Sequence, residues 1–284
     1  MTIREALKSA EAQLISSAVP DARLDAEYLL AGVLDAPRLM VLASGETPLT
    51  DATAGRFFAL VRRRASREPL QYILGTQPFM GCTFMVDDRA LIPRQDTEIL
   101  GEQAVLRAPE TGRALDLCTG SGALAVVLSR ALPGLHVTAS DISPAALALA
   151  RQNALLNGVS VDFREGDLFA PVSGETFDLI VSNPPYIPSG DLSSLQEEVK
   201  REPRLALDGG PDGLSFYRQI AAQAPHHLAP GGFLLMEIGC DQAPAVTALL
   251  MDAGFPAPEV IRDLAGRDRV IAAQKPSAQE ACHV

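Results

Sequence analysis

Apolar positions change their period along this chain, and the change marks its organisation. Ile3, Ala6, Leu7, Ala10 and Leu14 recur at helical spacing, and Leu24, Tyr28, Ala31 and Leu34 repeat it after Asp21, which reads as a cap. A third helix is expected to start near Thr50 or Asp51, to bury Phe57, Phe58, Leu60 and Val61, and to end before Pro69. Residues 1–74 thus read as a small helical domain. From Gly75 the pattern becomes GTQPFMGCTFMV, with Phe79, Phe84 and Val86 among small and polar residues, which predicts a short hairpin and a linker over 75–90.

From Arg113 strands and helices alternate. RALDL is followed by a helix over 123–132, HVTASD by one over 143–157, then come VDFREGD, FDLIVSN, GGFLLMEIG and a helix over 242–253. Such alternation implies parallel strands with helices on both faces, so residues 91–284 are expected to form a doubly wound α/β domain. PEVIRDL and DRVIAAQ are separated only by AGR, too short for a parallel crossover, so a hairpin should add one antiparallel strand that finishes a seven-stranded, mostly parallel sheet.

Composition narrows the class. At 284 residues the chain can hold two unequal cores, and 47% hydrophobic with 21% charged residues describes a globular protein. No apolar run approaches the roughly 18 residues of a membrane span. The opening MTIREALKSAEAQ carries charges where a signal peptide would be apolar, so the cytoplasm is expected and no membrane partner. Cys82, Cys118, Cys240 and Cys282 lie far apart and read as reduced thiols; with His136, His226 and His227 also lacking ligand spacing, no metal is expected. A net charge of −11 argues against direct nucleic-acid binding. Arg56, Arg62, Arg63, Arg64 and Arg67 form a basic cluster, read here as a solvated helix face.

Candidate chemistry lies beyond the carboxyl ends of the strands, where open sheets bind ligands. Asp116-Leu117-Cys118-Thr119-Gly120-Ser121-Gly122 is a strand running into a turn whose glycines admit a ligand close to the main chain. A plain tight turn fits it too. Asp141 follows Gly120 by 21 residues and ends the second strand, where its carboxylate can accept from two ribose hydroxyls. Asp167 and Leu168 end the third strand and frame an adenine edge and face. NAD and S-adenosylmethionine share that adenosine, so the loop does not choose between them.

The corner Asn183-Pro184-Pro185-Tyr186 does. Two prolines hold the backbone extended and remove donors, which bares carbonyls beside the Asn183 side chain. Such an acceptor array matches a planar NH2 group, with Tyr186 as a stacking surface. An amide nitrogen is a poor nucleophile, so its transfer chemistry must come from placement and charge stabilisation, which acceptors aimed at both N–H bonds supply.

The glycine loop, the acid at 141 and this corner resemble S-adenosylmethionine-dependent methyltransferases acting on planar nitrogen, in DNA bases or in protein glutamine. Residues 68–75 (EPLQYILG), FMGCTFMV, LIPRQDTE over 91–98, DLCTGSG, FDLIVSNPPYI, EPRLALDGGPDGLSFY over 202–217 and GGFLLMEIG resemble the peptide chain release factor glutamine methyltransferase family, of the HemK/PrmC type. The resemblance implies a class I methyltransferase fold and a monomeric enzyme that methylates the glutamine of the Gly-Gly-Gln motif in class 1 release factors. It further implies that the helical domain helps to grip the release factor. The site it implies comprises Cys118, Thr119, Gly120, Ser121, Gly122, Asp141, Asp167, Leu168 and Asn183 for S-adenosylmethionine, and Asn183, Pro184, Pro185 and Tyr186 for the glutamine. A sister enzyme modifies a ribosomal protein, and DNA amino-methyltransferases share the corner; Asp96-Thr97-Glu98 after Pro93-Arg94 looks like the release-factor branch. Two positions depart from the family pattern: Gln95 replaces proline, and Cys118 replaces glycine, which a small residue at negative φ is expected to accommodate.

Overall fold

A computed structural model describes residues 1–277, so Cys282 lies outside the described residues. Two compact units are present: Met1–Thr76 with Gln196–Arg201, and Gln77–Leu195 with the residues from Glu202 onward.

The first unit holds α1 (Ile3–Ser16), α2 (Ala22–Leu34), α3 (Arg38–Ala43), α4 (Asp51–Ala65) and α5 (Leu70–Leu74). Thr2 starts α1 with a capping box, its hydroxyl accepting from Glu5 N while the Glu5 carboxylate takes the Thr2 N–H. Thr50 caps α4 by accepting from Thr53 N. All five apolar positions expected inside α1 are buried. The stripe read for α2 is only half inside: Leu24 and Tyr28 are exposed, whereas Ala31 is buried and Leu34 packs against a core that Ala22, Ala26, Leu29 and Leu30 also enter. Asp21 precedes α2 without a side-chain cap bond. In α4, Phe57 and Val61 are buried, whereas Phe58 and Leu60 only flank the core.

The basic cluster is not a uniform solvated face. Arg56 and Arg62 are exposed, but Arg64 is 5% exposed and pairs with Asp25 at 2.6 Å and with Glu198 at 2.6 Å. Arg67 reaches the other oxygen of Glu198, also at 2.6 Å, and the two guanidiniums help hold that carboxyl down to about 2 against the opposing effect of burial. Segment Gln196–Arg201 thereby folds with the helices.

The second unit opens with the hairpin β1 (Thr76–Phe79) and β2 (Cys82–Met85), then α6 (Gln95–Arg107). The sheet and its helices follow: β3 (Gly112–Leu117), α7 (Ala123–Ala131), β4 (Leu135–Asp141), α8 (Pro144–Leu156), β5 (Asp162–Glu165), β6 (Phe177–Ser182), α9 (Ser215–His227), β7 (Leu228–Glu237), α10 (Ala243–Asp252), β8 (Glu259–Arg262) and β9 (Asp268–Gln274). Strand order is β5-β4-β3-β6-β7-β9-β8. The antiparallel strand β9 is inserted beside β7 rather than finishing the sheet, and β8 forms the edge. Leu115, Leu117, Ile180, Leu234 and Met236 are fully buried, as expected where helices cover both faces.

The order reverses at β3, between β4 and β6. Leu117 lies level with Ser140 on one side and Ser182 on the other, so the segments starting at 118, 141 and 183 leave the sheet together. The hairpin is tied to this region by the buried Asn153, whose amide donates to Met85 O at 3.1 Å and to Ser121 O at 2.9 Å. Among the described residues no helix is long and apolar enough to cross a membrane.

Candidate active site

A cavity of about 340 Å³ opens at this junction. Cys118, Thr119, Gly120 and Ser121 line it from the first loop, Asp141 from the second, and Asp167 and Leu168 from the third. Asn183 and Pro185 form part of the opposite wall. Gly122, Pro184 and Tyr186 lie outside the lining. Gly122, at φ +81°, packs on α8, where a Cβ would sit 3.0 Å from that of Ala150.

Cys118 has φ +59°, so the expected negative φ is wrong. A non-glycine residue in the left-handed region carries roughly 1–2 kcal/mol of strain. The surroundings hold it there: Thr119 N donates to Ser140 O at 3.0 Å, the Thr119 hydroxyl donates to Asp116 at 2.6 Å, and the Cys118 side chain packs on the sheet core. Burial, with the charges of Asp141 and Asp116, pushes the thiol well above its ordinary value. Its alkylation by iodoacetamide should therefore lag that of the exposed Cys240 by at least about tenfold at neutral pH, read by peptide mass spectrometry. Equal rates would contradict this environment. Gln95 is the first residue of α6, a position whose N–H has no intrahelical acceptor, so glutamine replaces the family proline there without losing a helix bond.

Asp141 accepts from Gly120 N at 2.9 Å on one oxygen and from Ser143 N at 2.8 Å on the other. Burial raises its pKa against the pull of these N–H groups. Each oxygen keeps a second lone pair, enough for two ligand hydroxyls. Asp116, outside the sequence-based set, also lines the cavity. One oxygen accepts from Thr119 and from Ala125 N at 3.1 Å, while Oδ1 is buried without a partner among the described residues. Burial pushes this carboxyl up to about 7. An orphaned carboxylate oxygen is costly unless a donor arrives, so this wall suits a cationic ligand.

At the corner, the Asn183 amide donates to the Thr97 hydroxyl at 3.2 Å. Among the described residues no donor reaches the carbonyls of Asn183, Pro184 or Pro185. The Tyr186 carbonyl is not part of that array, since Gln242 Nε2 donates to it at 3.0 Å. The Tyr186 phenol is also engaged, donating to Glu237 at 3.2 Å. The corner's exit is pinned by Ile187 N to Leu207 O at 3.0 Å and Gly209 N to Ile187 O at 2.8 Å. Gly209 is required by this approach, because a Cβ would come within 2.7 Å of Tyr186 Cα. Glu202 joins two of the quoted motifs: its buried carboxylate accepts from Ile92 N at 2.9 Å and from the Arg94 guanidinium. None of these long-range ties is visible in local sequence pattern.

The sequence profile of the PrmC N-terminal domain matches residues 5–75, and that of the methyltransferase small domain matches 96–204. The chain is 46% identical over 271 residues to the release factor glutamine methyltransferase of Geobacter sulfurreducens, covering 95% of each chain. It is 45% identical over 280 residues to that of Moorella thermoacetica, covering 97% of this chain and 99% of the relative. Among solved structures, a methyltransferase from Pyrococcus furiosus shares the fold with a TM-score of 0.54 at 19% identity, over 69% of this chain and 90% of that one.

Proposed function

The chain belongs to the release factor glutamine methyltransferase family, and from that premise we propose that it methylates the Gly-Gly-Gln glutamine of class 1 release factors on its side-chain amide nitrogen, with S-adenosylmethionine as donor. The observation that carries this reading is the run of unpaired carbonyls over Asn183, Pro184 and Pro185, of which Asn183 and Pro185 line the cavity that also holds Asp116 and Asp141.

The residues present fit the donor. Asp141 would take the ribose hydroxyls, Leu168 and Asp167 the adenine, and the orphaned oxygen of Asp116 the cationic amino acid end. The donor supplies a methyl group on a positively charged sulfur. The protein's part is placement: the Asn183 side-chain oxygen and bare carbonyls of the corner accept from the two N–H bonds of the substrate amide. That holds the nitrogen lone pair in line and stabilises positive charge developing there, with no strong base needed before transfer. Tyr186, anchored through its phenol, would wall the amide. We assign the helical unit to gripping the release factor, and expect a monomer acting in the cytoplasm.

Incubation with labelled S-adenosylmethionine and, separately, a class 1 release factor, a ribosomal protein extract or duplex DNA tests this reading. Label on the release factor glutamine, mapped by mass spectrometry, is the expected result. Label only on DNA or on a ribosomal protein would overturn the substrate assignment.

A further inference from the structure

Gln242 caps the start of α10, half-buried and outside the cavity lining, and its carboxamide joins three stretches of chain behind the corner. The oxygen accepts from Gly239 N at 2.9 Å and lies 3.3 Å from the Tyr217 hydroxyl. The nitrogen donates to Tyr186 O at 3.0 Å and to Gly213 O at 3.3 Å. This orientation is forced: the Gly239 N–H can only donate, so it meets the oxygen, and the two carbonyls can only accept, so they meet the NH2 end. Gly213, at φ +73°, leaves room for the bond, because a Cβ there would collide with Tyr186 O and stand 2.8 Å from Gln242 Nε2. One peptide plane is thereby held from both sides. Between Tyr186 and Ile187 the carbonyl is taken by Gln242 and the N–H donates to Leu207 O at 3.0 Å, so the plane cannot turn without losing one of them. The Tyr186 phenol is fastened separately, to Glu237.

We propose that Gln242 is a positioning residue that fixes the backbone end of Tyr186, and so the plane of its ring against the substrate amide. The role rests on the function proposed above, in which Tyr186 walls that amide. A ring fastened only at its phenol tip can still pivot from its backbone end; the Gln242 bond removes that freedom. With the donor at 242 gone, the Tyr186 carbonyl has no partner among the described residues, the peptide plane is released on one side, and the ring turns on its phenol anchor.

Gln242→Glu keeps the shape and puts an oxygen in place of the NH2 end, which sets acceptor against acceptor at Tyr186 and Gly213 while the carboxyl is ionised. At a pH of about 8 it is expected to lower kcat by about 10–100-fold, the scale of a misplaced group. KM for the release factor and affinity for S-adenosylhomocysteine should stay within about threefold of wild type. Protonation returns one donor, so the ratio of variant to wild-type kcat should climb as pH falls from about 8 toward about 6, whereas Gln242→Leu, with nothing to protonate, should stay low. In a Tyr186→Ala background Gln242→Glu should cost little further, because its effect runs through the missing ring. Amide exchange at Ile187 reads the released plane without turnover and should quicken by about tenfold in Gln242→Glu. A folded Gln242→Glu enzyme as fast as wild type at the higher pH would sink the assignment, as would an undiminished loss in the Tyr186→Ala background, which marks a merely structural role. Should the leucine variant fail to fold, the glutamate variant and its pH ratio decide alone. If wild type leaves the release factor glutamine unmethylated, the functional reading itself fails; unchanged exchange at Ile187 would instead remove Gln242 from the corner whatever the substrate.

Discussion

Asn183→Ala is expected to cut methyl transfer to a release factor glutamine by about 10²–10³-fold, the range seen when one preorganised polar contact to a reacting centre is removed. The fold should be untouched, because the side chain is half-buried and, among the described residues, bonds only to Thr97. The prolines that shape the corner also remain, so the backbone acceptors stay in place and one side-chain oxygen is lost. Single-turnover rates with labelled donor, together with a thermal melt and calorimetric binding of S-adenosylhomocysteine, check this. Near-normal turnover would remove Asn183 from its role. Lost turnover with a lost melt would instead make it a structural residue.

The largest effect on stability is expected in the first unit. Arg64→Ala should cost about 3–5 kcal/mol, because it leaves Asp25 buried beside no cation. Burial already raises the Asp25 carboxyl and Arg64 opposes that rise; without the guanidinium the folded pKa climbs further above its ordinary 3.8. A folded pKa above the unfolded one means that protonation favours the folded state. The deficit of the variant should therefore narrow as pH falls from about 7 toward about 5. Glu198 loses one of the two guanidiniums that hold its carboxyl down but keeps Arg67, and any rise it undergoes also narrows the deficit on acidification. Replacing both partners by leucine should recover much of the loss, since a well-packed apolar pair avoids the uncompensated charge. Urea denaturation of the full chain at two pH values measures all three outcomes; a deficit that is small, or that widens on acidification, would show that Asp25 is not the group responsible.

Much of the sheet was legible because its signals are local. Apolar runs such as Leu179-Ile180-Val181, short and set between turn residues, read as strands covered on both faces, and two of these strands lead to the residues that mark the site: Asp141 at the end of β4, Asn183 just after β6. What stayed hidden depends on partners far along the chain. Arg64 looked like one more surface arginine because Glu198 lies 134 positions away. Glu237 had no readable role because its partner, Tyr186, lies 51 positions away. Asp116 could be placed beside Asp141 from the sequence, but its orphaned oxygen comes from burial that the local pattern does not show. In α2 the stripe Leu24, Tyr28, Ala31 and Leu34 was half right, because Leu29, Leu30 and the alanines at 22 and 26 take the inner face together with Ala31 while Leu24 and Tyr28 turn outward. Cys118 shows the limit at one residue, since the expected backbone angle had the wrong sign.

The hexapeptide Gln196–Arg201 has a practical consequence for dissecting this protein. A fragment cut after Thr76 would retain all five helices yet forfeit the acid that binds two of its guanidiniums. Arg64 would then keep Asp25 and the Glu68 carbonyl, and Arg67 would face solvent. Excision of the helical region as an autonomous piece would start from an incomplete molecule, and grafting a glutamate into the truncated end would be the natural remedy.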